Sequence, residues 1–482
     1  MTSNKEFVFS NLIWRFAERC GAQGVKLLVE LVLARILLPE DYGLIALVTV
    51  FIQILNVFVD SGLGNALIQK KNADDLDFST VFYFNIVWCL VLYGLLFVVA
   101  PIFASLYGKT ELTIVLRVLG LQVIISGIKN VQQAYVSRTM QFKRFFYATL
   151  TGTLGAAVVG IFMAYQGFGV WALVCQQLFN VLVDTVVLWI TVKWRPKKLF
   201  SFARLKALFS YGWKLLASSL LDTVYGEIRQ LVIGKLYSSS DLAFYNRGKQ
   251  FPNLIVTNIN TSIDSVLLPT MSKEQDNKER VKKMTRRSIQ VSTYIMAPLM
   301  IGLACCADKV VTLILTTKWL PCVFFLHIFC ITYMFYPIHT ANLNAIKAMG
   351  RSDLFLKLEI TKKVVGIVLL LSTMFISVEA MAYSLLISAL TSMIINSWPN
   401  KKLLNYSFFD QIKDIVPSII LALIMGFGVY FIGLMSLSTI LLLIIQVVCG
   451  ALIYLVGSAA LKLEPFEYLK SIIMKHTKRR KA

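Results

Sequence analysis

Six ionisable residues crowd the first apolar stretch of the chain: Arg15, Glu18, Arg19, Lys26, Glu30 and Arg35. On a helix turning 100° per residue, Arg15, Arg19, Lys26 and Glu30 fall within about 60° of one another, with Glu18 at the margin. One Arg or Lys at the centre of a bilayer costs about 2.5–3.5 kcal/mol on insertion scales, so four charges facing lipid would cost on the order of 10 kcal/mol. The stripe must face protein or a watery cavity. Its chemistry is anion binding, because guanidinium and ammonium groups suit phosphate through charge-assisted hydrogen bonds.

The same pattern returns along the chain. Lys214, Ser218, Asp222, Tyr225 and Arg229 share one helical face, as do Gln122, Ser126, Lys129 and Gln133. Thr49, Gln53, Asn56, Asp60 and Gly64 form an amide-rich stripe, matched by Asn246, Asn253, Thr257, Asn260 and Asp264. Thr332, Tyr336, His339 and Leu343 make a further face. Such faces are expected around one central hydrophilic cavity. Buried ion pairs that only fix helix packing are the competing account, with Glu18, Glu30, Asp222 and Glu227 as partners. Bases outnumber acids on these faces, so an anionic ligand accounts for the surplus.

The elements that carry these stripes follow from composition. Of 482 residues, 57% are hydrophobic and 15% charged, with a mean hydropathy of +0.70. A soluble chain of this length carries about 25% charged residues and cannot hide so much apolar surface. Apolar runs predict fourteen spans: 9–37, 42–66, 78–104, 112–136, 145–165, 170–192, 208–236, 244–270, 288–316, 321–346, 358–377, 380–398, 414–434 and 438–461. The fold class expected is an all-α polytopic membrane protein of 14 transmembrane helices. Gly152, Gly155 and Gly160 suit close helix packing.

Lys and Arg number 48 against 26 acids, a net of +22. A nucleic-acid partner is not expected, because the bases gather in alternate connections, as the positive-inside rule requires. One set is Lys70-Lys71, Arg138 with Lys143-Arg144, Lys193 to Lys206, Lys273 to Arg287, Lys347 to Lys357, Lys401-Lys402 and the tail from Lys462. The other, including Pro39-Glu40-Asp41, Gln166 to Gly169 and Ser238 to Lys249, is poor in Lys and Arg. Both termini are thus expected in the cytoplasm. The segment from about Met271 to Arg287 reads as a charged linker.

An internal repeat is legible. A shift of 200 lays Asp41 on Asp241 and Gln53 on Asn253, and a shift of 210 lays Arg117 on His327 and Lys129 on His339. Six spans followed by six of the same orientation make a parallel repeat. The domains expected are a six-helix lobe over 1–207, a second over 208–405, and a two-helix hairpin with a basic tail over 406–482. No phosphate loop, H-E-x-x-H or His/Cys metal array occurs, so no cofactor, metal or catalytic residue is expected. A membrane transferase would need a sizeable polar loop to hold its donor, and a transporter is favoured over an enzyme.

Several motifs together resemble a known family. They are Leu33-Ala34-Arg35-Ile36-Leu37-Leu38-Pro39-Glu40-Asp41-Tyr42-Gly43-Leu44, Asp60-Ser61-Gly62-Leu63-Gly64-Asn65-Ala66-Leu67, Gly167-Phe168-Gly169-Val170-Trp171-Ala172-Leu173 and Asp241-Leu242-Ala243-Phe244-Tyr245-Asn246-Arg247. With Trp14 to Gly24, they resemble the multidrug/oligosaccharidyl-lipid/polysaccharide exporter superfamily, and within it the Wzx-type polysaccharide flippases of the colanic-acid and teichuronic-acid exporter branch. The resemblance implies alternating access of two lobes. It also implies export of a lipid-linked oligosaccharide repeat unit across the bacterial inner membrane for polysaccharide biosynthesis. The lipid bilayer, a polysaccharide polymerase and glycosyltransferases would then be partners.

An undecaprenyl-diphosphate-linked sugar combines an anionic head, a hydroxyl-rich glycan and an apolar tail. Arg15, Arg19 and Lys26 are the first candidates for the diphosphate, with Lys129, Lys214 and Arg229 behind them. Gln53, Asn56, Tyr225, Asn253, Asn260 and Tyr336 are the candidates for the sugar. Glu30, Asp60, Asp222 and Asp264 are candidate ion-coupling carboxylates. Two other readings stay open: a cation-coupled multidrug exporter of the same superfamily, and a membrane-embedded glycosyl- or acyltransferase.

Overall fold

The computed structural model describes residues 21–60 and 62–481, and among them only helices, turns and short irregular connections occur. The first described helix, α1, covers 21–36. It is followed by α2 (Pro39–Asp60), α3 (Leu63–Gln69), α4 (Asp75–Tyr107), α5 (Glu111–Leu119), α6 (Leu121–Arg138), α7 (Phe142–Tyr165), α8 (Val170–Thr191), α9 (Phe202–Leu236) and α10 (Ser239–Lys273). Then come α11 (Lys278–Cys305), α12 (Ala307–Ile314), α13 (Cys322–Met334), α14 (Tyr336–Ala348), α15 (Ser352–Thr373), α16 (Val378–Leu404), α17 (Phe408–Ile432), α18 (Thr439–Ala460) and α19 (Glu464–Lys481).

The described part of every expected span is helical, to within a few residues at its ends. Four spans are broken inside: between α2 and α3, at Gly120, at Cys306 and at Phe335. The first break centres on Gly62, whose φ is +68°. A Cβ there would also lie 2.3 Å from the carbonyl oxygen of Gly212 in α9, so this position admits no side chain. Among the described residues, ten helical segments are long and apolar enough to cross a membrane. The helices α9, α10 and α15 fall short of that apolarity because charged side chains interrupt them, in α15 as far as Lys363.

The surface is apolar where a soluble protein would be polar. On α4, Val87, Val91, Leu95, Val98 and Ile102 are each more than half exposed and recur every three to four residues. On α18, Ile440, Ile444 and Val447 do the same. Meanwhile Asn85, Gln132, Asn342, Asn344, Asn400 and Gln411 are almost wholly buried. Lipid is the solvent that suits such an exterior, and the chain is a multi-pass membrane protein.

The polypeptide forms two compact units, one running to Ala243 and one starting at Phe244. In the first, α2 packs on α9, α6, α5 and α8, while α9 also meets α3 and α4. Its tightest helix pair is α7 with α8. Cβ atoms at Gly152, Gly155 and Gly160 would lie 2.8–3.0 Å or closer to Asn180, Phe179 and Gln176, so that glycine stripe is what lets the two helices approach. In the second unit α11 packs on α17, α14 and α13, and α16 on α15, α14 and α13.

Two expected connections are helical instead. Ser238 to Lys249 was expected as a loop, but Asp241 turns back to cap the chain and α10 begins at Ser239. The charged linker expected from Met271 to Arg287 shrinks to residues 274–277, because α10 runs to Lys273 and Asn277 caps α11 by accepting from the Arg280 N–H at 3.1 Å. Lys, Arg and Glu are good helix formers, so a helix leaving the bilayer need not stop where its apolar run stops. The expected tail is likewise helical, as α19.

Candidate functional site

Within the first unit α1, α2, α6 and α9 hold the predicted ionisable residues that are described. The Lys129 ammonium of α6 lies 2.9 Å from the Asp184 carboxylate of α8, with both side chains about 15% exposed. One residue along α6, Asn130 donates its Nδ2 to Asp60 Oδ1 at 2.7 Å, and Asn85 of α4 approaches Asn130 Oδ1 at 3.5 Å. Lys129 is therefore neutralised by a carboxylate that pattern reading passed over. The available signal was Asp184 itself, a lone acid in an apolar span that demands a partner.

Arg229 is different. Its side chain, on α9, is only 6% exposed, and its Nε and Nη2 have no hydrogen-bond partner among the described residues. Charge so enclosed is costly unless something anionic meets it. On the same helix Lys214 and Asp222 are exposed and Tyr225 is half-buried. Lys26 of α1 is exposed and lies 3.8 Å from Glu30, one turn along. Gln53 on α2 is exposed, while Asn56 keeps a buried Oδ1 with no protein donor among the described residues. Arg15 and Arg19, the leading diphosphate candidates, lie outside the described residues, as does Glu18.

The second unit contains a cavity of ≈ 220 Å³. Its walls are Asn253, Val256, Thr257, Asn260 and Thr261 of α10 with Tyr333 of α13 and Tyr336 of α14. Three predicted sugar residues, Asn253, Asn260 and Tyr336, thus share one space. Thr257, Thr261 and Tyr333 join them; the first two lie on the α10 stripe at three- and four-residue spacing, which was the signal for them. Pro252 and Pro269 bracket this part of α10, and each removes an N–H from the helix ladder. Asn260 Oδ1 is buried and has no partner among the described residues. One turn on, Asp264 accepts from Asn344 Nδ2 at 2.8 Å.

His339 does not reach into a free space of its own: its Nδ1 meets Asn396 Nδ2 at 3.1 Å, and its ring stands edge-on to Tyr336 at 5.9 Å. His327 bonds the Ala304 carbonyl at 2.9 Å, a packing role. Deeper in the second unit, Asn400 and Gln411 donate to Asn342 Oδ1 at 2.6 and 3.0 Å and Asn342 donates to Gln411 Oε1 at 2.8 Å, across α14, α16 and α17, while Asn400 Oδ1 has no partner among the described residues. These amides belong to the scaffold.

Ionic clusters tie helix ends together in each unit. Asp77, fully buried, takes Lys70 at 2.6 Å and Arg204 at 3.5 Å, while Asp75 accepts from Trp194 Nε1 at 3.1 Å and pairs with Lys197 at 2.6 Å. Arg138 donates to the carbonyls of Leu67, Lys70 and Lys71, closing the end of α3. In the second unit Asp414 receives Arg286 at 2.9 Å, Gln290 at 3.1 Å and the Tyr406 hydroxyl at 2.7 Å. Several bases read as solvated topology signals are thus structural partners as well. Asp74, the N-cap of α4, is held below the ordinary carboxylate range chiefly by its backbone hydrogen bond from Asp77.

A lipid-facing apolar exterior around buried amides, ion pairs and an enclosed guanidinium defines a polytopic membrane protein. The chain belongs to the polysaccharide biosynthesis protein family, which matches residues 32–324. It is 27% identical over 319 residues to the succinoglycan biosynthesis transport protein ExoT of Rhizobium meliloti (strain 1021), covering 66% of this chain and 64% of that relative. It is 25% identical over 422 residues to the teichuronic acid biosynthesis protein TuaB of Bacillus subtilis (strain 168), covering 84% and 85%. In fold it is similar to the lipid II flippase MurJ in an inward closed conformation, with a TM-score of 0.76 at 14% identity over 94% of this chain and 98% of that one. A multidrug resistance MATE family transporter of the MOP superfamily, inward-facing, gives a TM-score of 0.62 at 15% identity over 79% and 94%. The family match and these relatives agree with the polysaccharide biosynthesis family expected from the sequence motifs.

Proposed function

We propose that this chain is a flippase that moves an undecaprenyl-diphosphate-linked oligosaccharide repeat unit from the cytoplasmic to the outer leaflet of the bacterial inner membrane. The observation that carries the reading is Arg229, an enclosed guanidinium with two nitrogens open to an anion. Family membership supports the polysaccharide pathway, and ExoT, named as a transport protein, supports movement over catalysis.

In this reading Arg229, Lys26 and Lys214 serve the diphosphate with Arg15 and Arg19, and Lys129 acts through its pairing with Asp184. Gln53, Asn56 and Tyr225 serve the glycan alongside Asn253, Asn260 and Tyr336. The architecture proposed is fourteen transmembrane helices with both termini cytoplasmic. Lobes over 1–207 and 208–405 alternate in access, and 406–482 forms an added hairpin and tail. Moving a dianion outward through an interior-negative potential releases about 4.6 kcal/mol per 100 mV, at about 2.3 per charge. That is sufficient drive without a nucleotide. Glu30, Asp60, Asp222 and Asp264 are the carboxylates through which an ion gradient would add to it. A polymerase and glycosyltransferases are the partners proposed, as consumers and suppliers of the repeat unit.

Removing the gene should strip surface polysaccharide and leave the lipid-linked repeat unit on the cytoplasmic face. Charge reversal of Arg15 and Arg19 should do the same while the protein still inserts. Normal surface polysaccharide in the deletion strain would overturn the reading.

A further inference from the structure

The cavity of the second unit has a lining that selects more narrowly than "glycan". It combines two tyrosines, two threonines, two asparagines and a valine, and among the described residues no charged side chain lines it. Tyr333 and Tyr336 stand edge-to-face, with ring centroids 5.8 Å apart and planes at 81°, which gives one apolar corner. The C–H faces of a pyranose pack against such a corner, as apolar groups pack on aromatic faces generally. Opposite it, α10 offers a polar ladder. Thr261 already donates its hydroxyl to the Thr257 carbonyl at 2.7 Å, so its oxygen is left to accept. Asn260 Oδ1 is a buried acceptor with no donor among the described residues, and a sugar hydroxyl is a donor that would satisfy it.

Size and charge narrow the choice. Pockets for drug-sized ligands run about 300–1,000 Å³, so ≈ 220 Å³ suits one sugar ring and not an extended oligosaccharide. The acid next along α10, Asp264, is held by Asn344 at 2.8 Å. A carboxylated sugar would find no cation in the lining to pair with.

We propose that this cavity is a subsite for a single uncharged pyranose, with Asn260 and Thr261 reading its hydroxyls and Tyr333 and Tyr336 stacking on its apolar face. The proposal deepens the flippase reading by naming the class of sugar that the second unit admits, and it rests on that reading for its physiological meaning.

The test uses the full chain in a sugar-free detergent, with methyl glucopyranoside, methyl galactopyranoside and methyl glucuronide as probes in saturation-transfer NMR. At least one neutral glycoside should bind, and the glucuronide should not. Asn260→Ala should weaken the neutral probe about fivefold, the loss of one neutral hydrogen bond. Tyr336 is 47% exposed, so Tyr336→Leu is expected to fold and to weaken it as well. Thr257→Lys is the gain-of-binding arm: it should let the glucuronide in and improve its binding about tenfold over wild type. Equal binding of glucuronide and neutral glycosides to wild type, or neutral binding unchanged in Asn260→Ala and Tyr336→Leu, overturns the proposal. No saturation transfer from any glycoside overturns it too. Neutral-sugar binding in a protein that moves no lipid-linked oligosaccharide would sink the flippase reading and leave the subsite standing. Transport without binding would do the reverse.

Discussion

In the first unit Lys129 of α6 reaches Asp184 of α8 at 2.9 Å; in the second, His339 of α14 meets Asn396 of α16 at 3.1 Å. These residues stand in matching places, 210 and 212 positions apart. Other contacts recur with them. Asp41 accepts from the Leu38 N–H at 3.0 Å and Asp241 from the Ser238 N–H at 3.1 Å, each capping the helix it opens. Asn130 holds Asp60 as Asn344 holds Asp264, at 2.7 and 2.8 Å. Asn56 and Asn260 each sit one turn before that aspartate, and each has a buried Oδ1 without a partner among the described residues. The difference at this matched contact lies in charge: the first unit joins α6 to α8 with an ion pair, whereas the second joins α14 to α16 with neutral groups, although both units enclose an arginine, Arg229 and Arg247. Similar scaffolds are thus held together by an ion pair in one place and by a neutral contact in its counterpart.

The contrast can be broken first at its ionic contact. Asp184→Ala leaves a lysine enclosed without its counter-charge, a loss of about 3–5 kcal/mol. Asn396→Ala removes a neutral partner and should cost about 1–3 kcal/mol. Melting temperature and yield of the detergent-purified variants read the difference, and Lys129→Ala combined with Asp184→Ala should recover part of the first loss. Equal losses at Asp184 and Asn396 would erase the distinction between the units.

A smaller effect should be shared. Asn130→Ala and Asn344→Ala each take an amide from a carboxylate, at about 1.5–3 kcal/mol for a hydrogen bond to a charged group. Asn130 also neighbours Asn85, so its loss should be the larger of the two. A double-mutant cycle with Asp60→Ala and Asp264→Ala measures each clasp separately; zero coupling at both would show the recurrence to be without energetic weight.

The smallest effect concerns the capping box of α4. Asp74→Ala should cost about 1 kcal/mol at neutral pH. The folded state depresses the Asp74 carboxyl, so its stabilisation is present above the ordinary carboxylate pKa and is lost as pH falls through the depressed one. The gap between wild type and Asp74→Ala should therefore close on acidification, and a gap that widens would refute the assignment.

Much of this architecture was readable in advance, and for a simple reason. Lipid demands apolar runs of fixed length, so the spans announce themselves, and charge inside a span announces a protected face. The α10 stripe was legible on that basis, and so were Asn253, Asn260 and Tyr336 as neighbours of one space. Contacts between distant segments were not. Lys129 and Asp184 are 55 residues apart in sequence, and spacing along one helix says nothing of what another helix presents. Breaks at Gly120, Cys306 and Phe335 were hidden because a helix can turn inside an apolar run without any change of polarity. The ends of α10 and α11 were misplaced for the opposite reason, since polarity changes there while the helix continues.

The central claim is movement of a diphosphate-linked glycan past an enclosed guanidinium. Vesicles holding the purified chain and an undecaprenyl-diphosphate-linked oligosaccharide allow it to be measured, with a membrane-impermeant glycosidase reporting which leaflet the glycan occupies. The chain should bring the protected inner pool within reach of the enzyme, and Arg229→Gln at equal reconstituted amount should slow this by roughly tenfold or more, the loss of a charge-assisted contact. If vesicles with and without the protein shield the same fraction of glycan, the account is wrong.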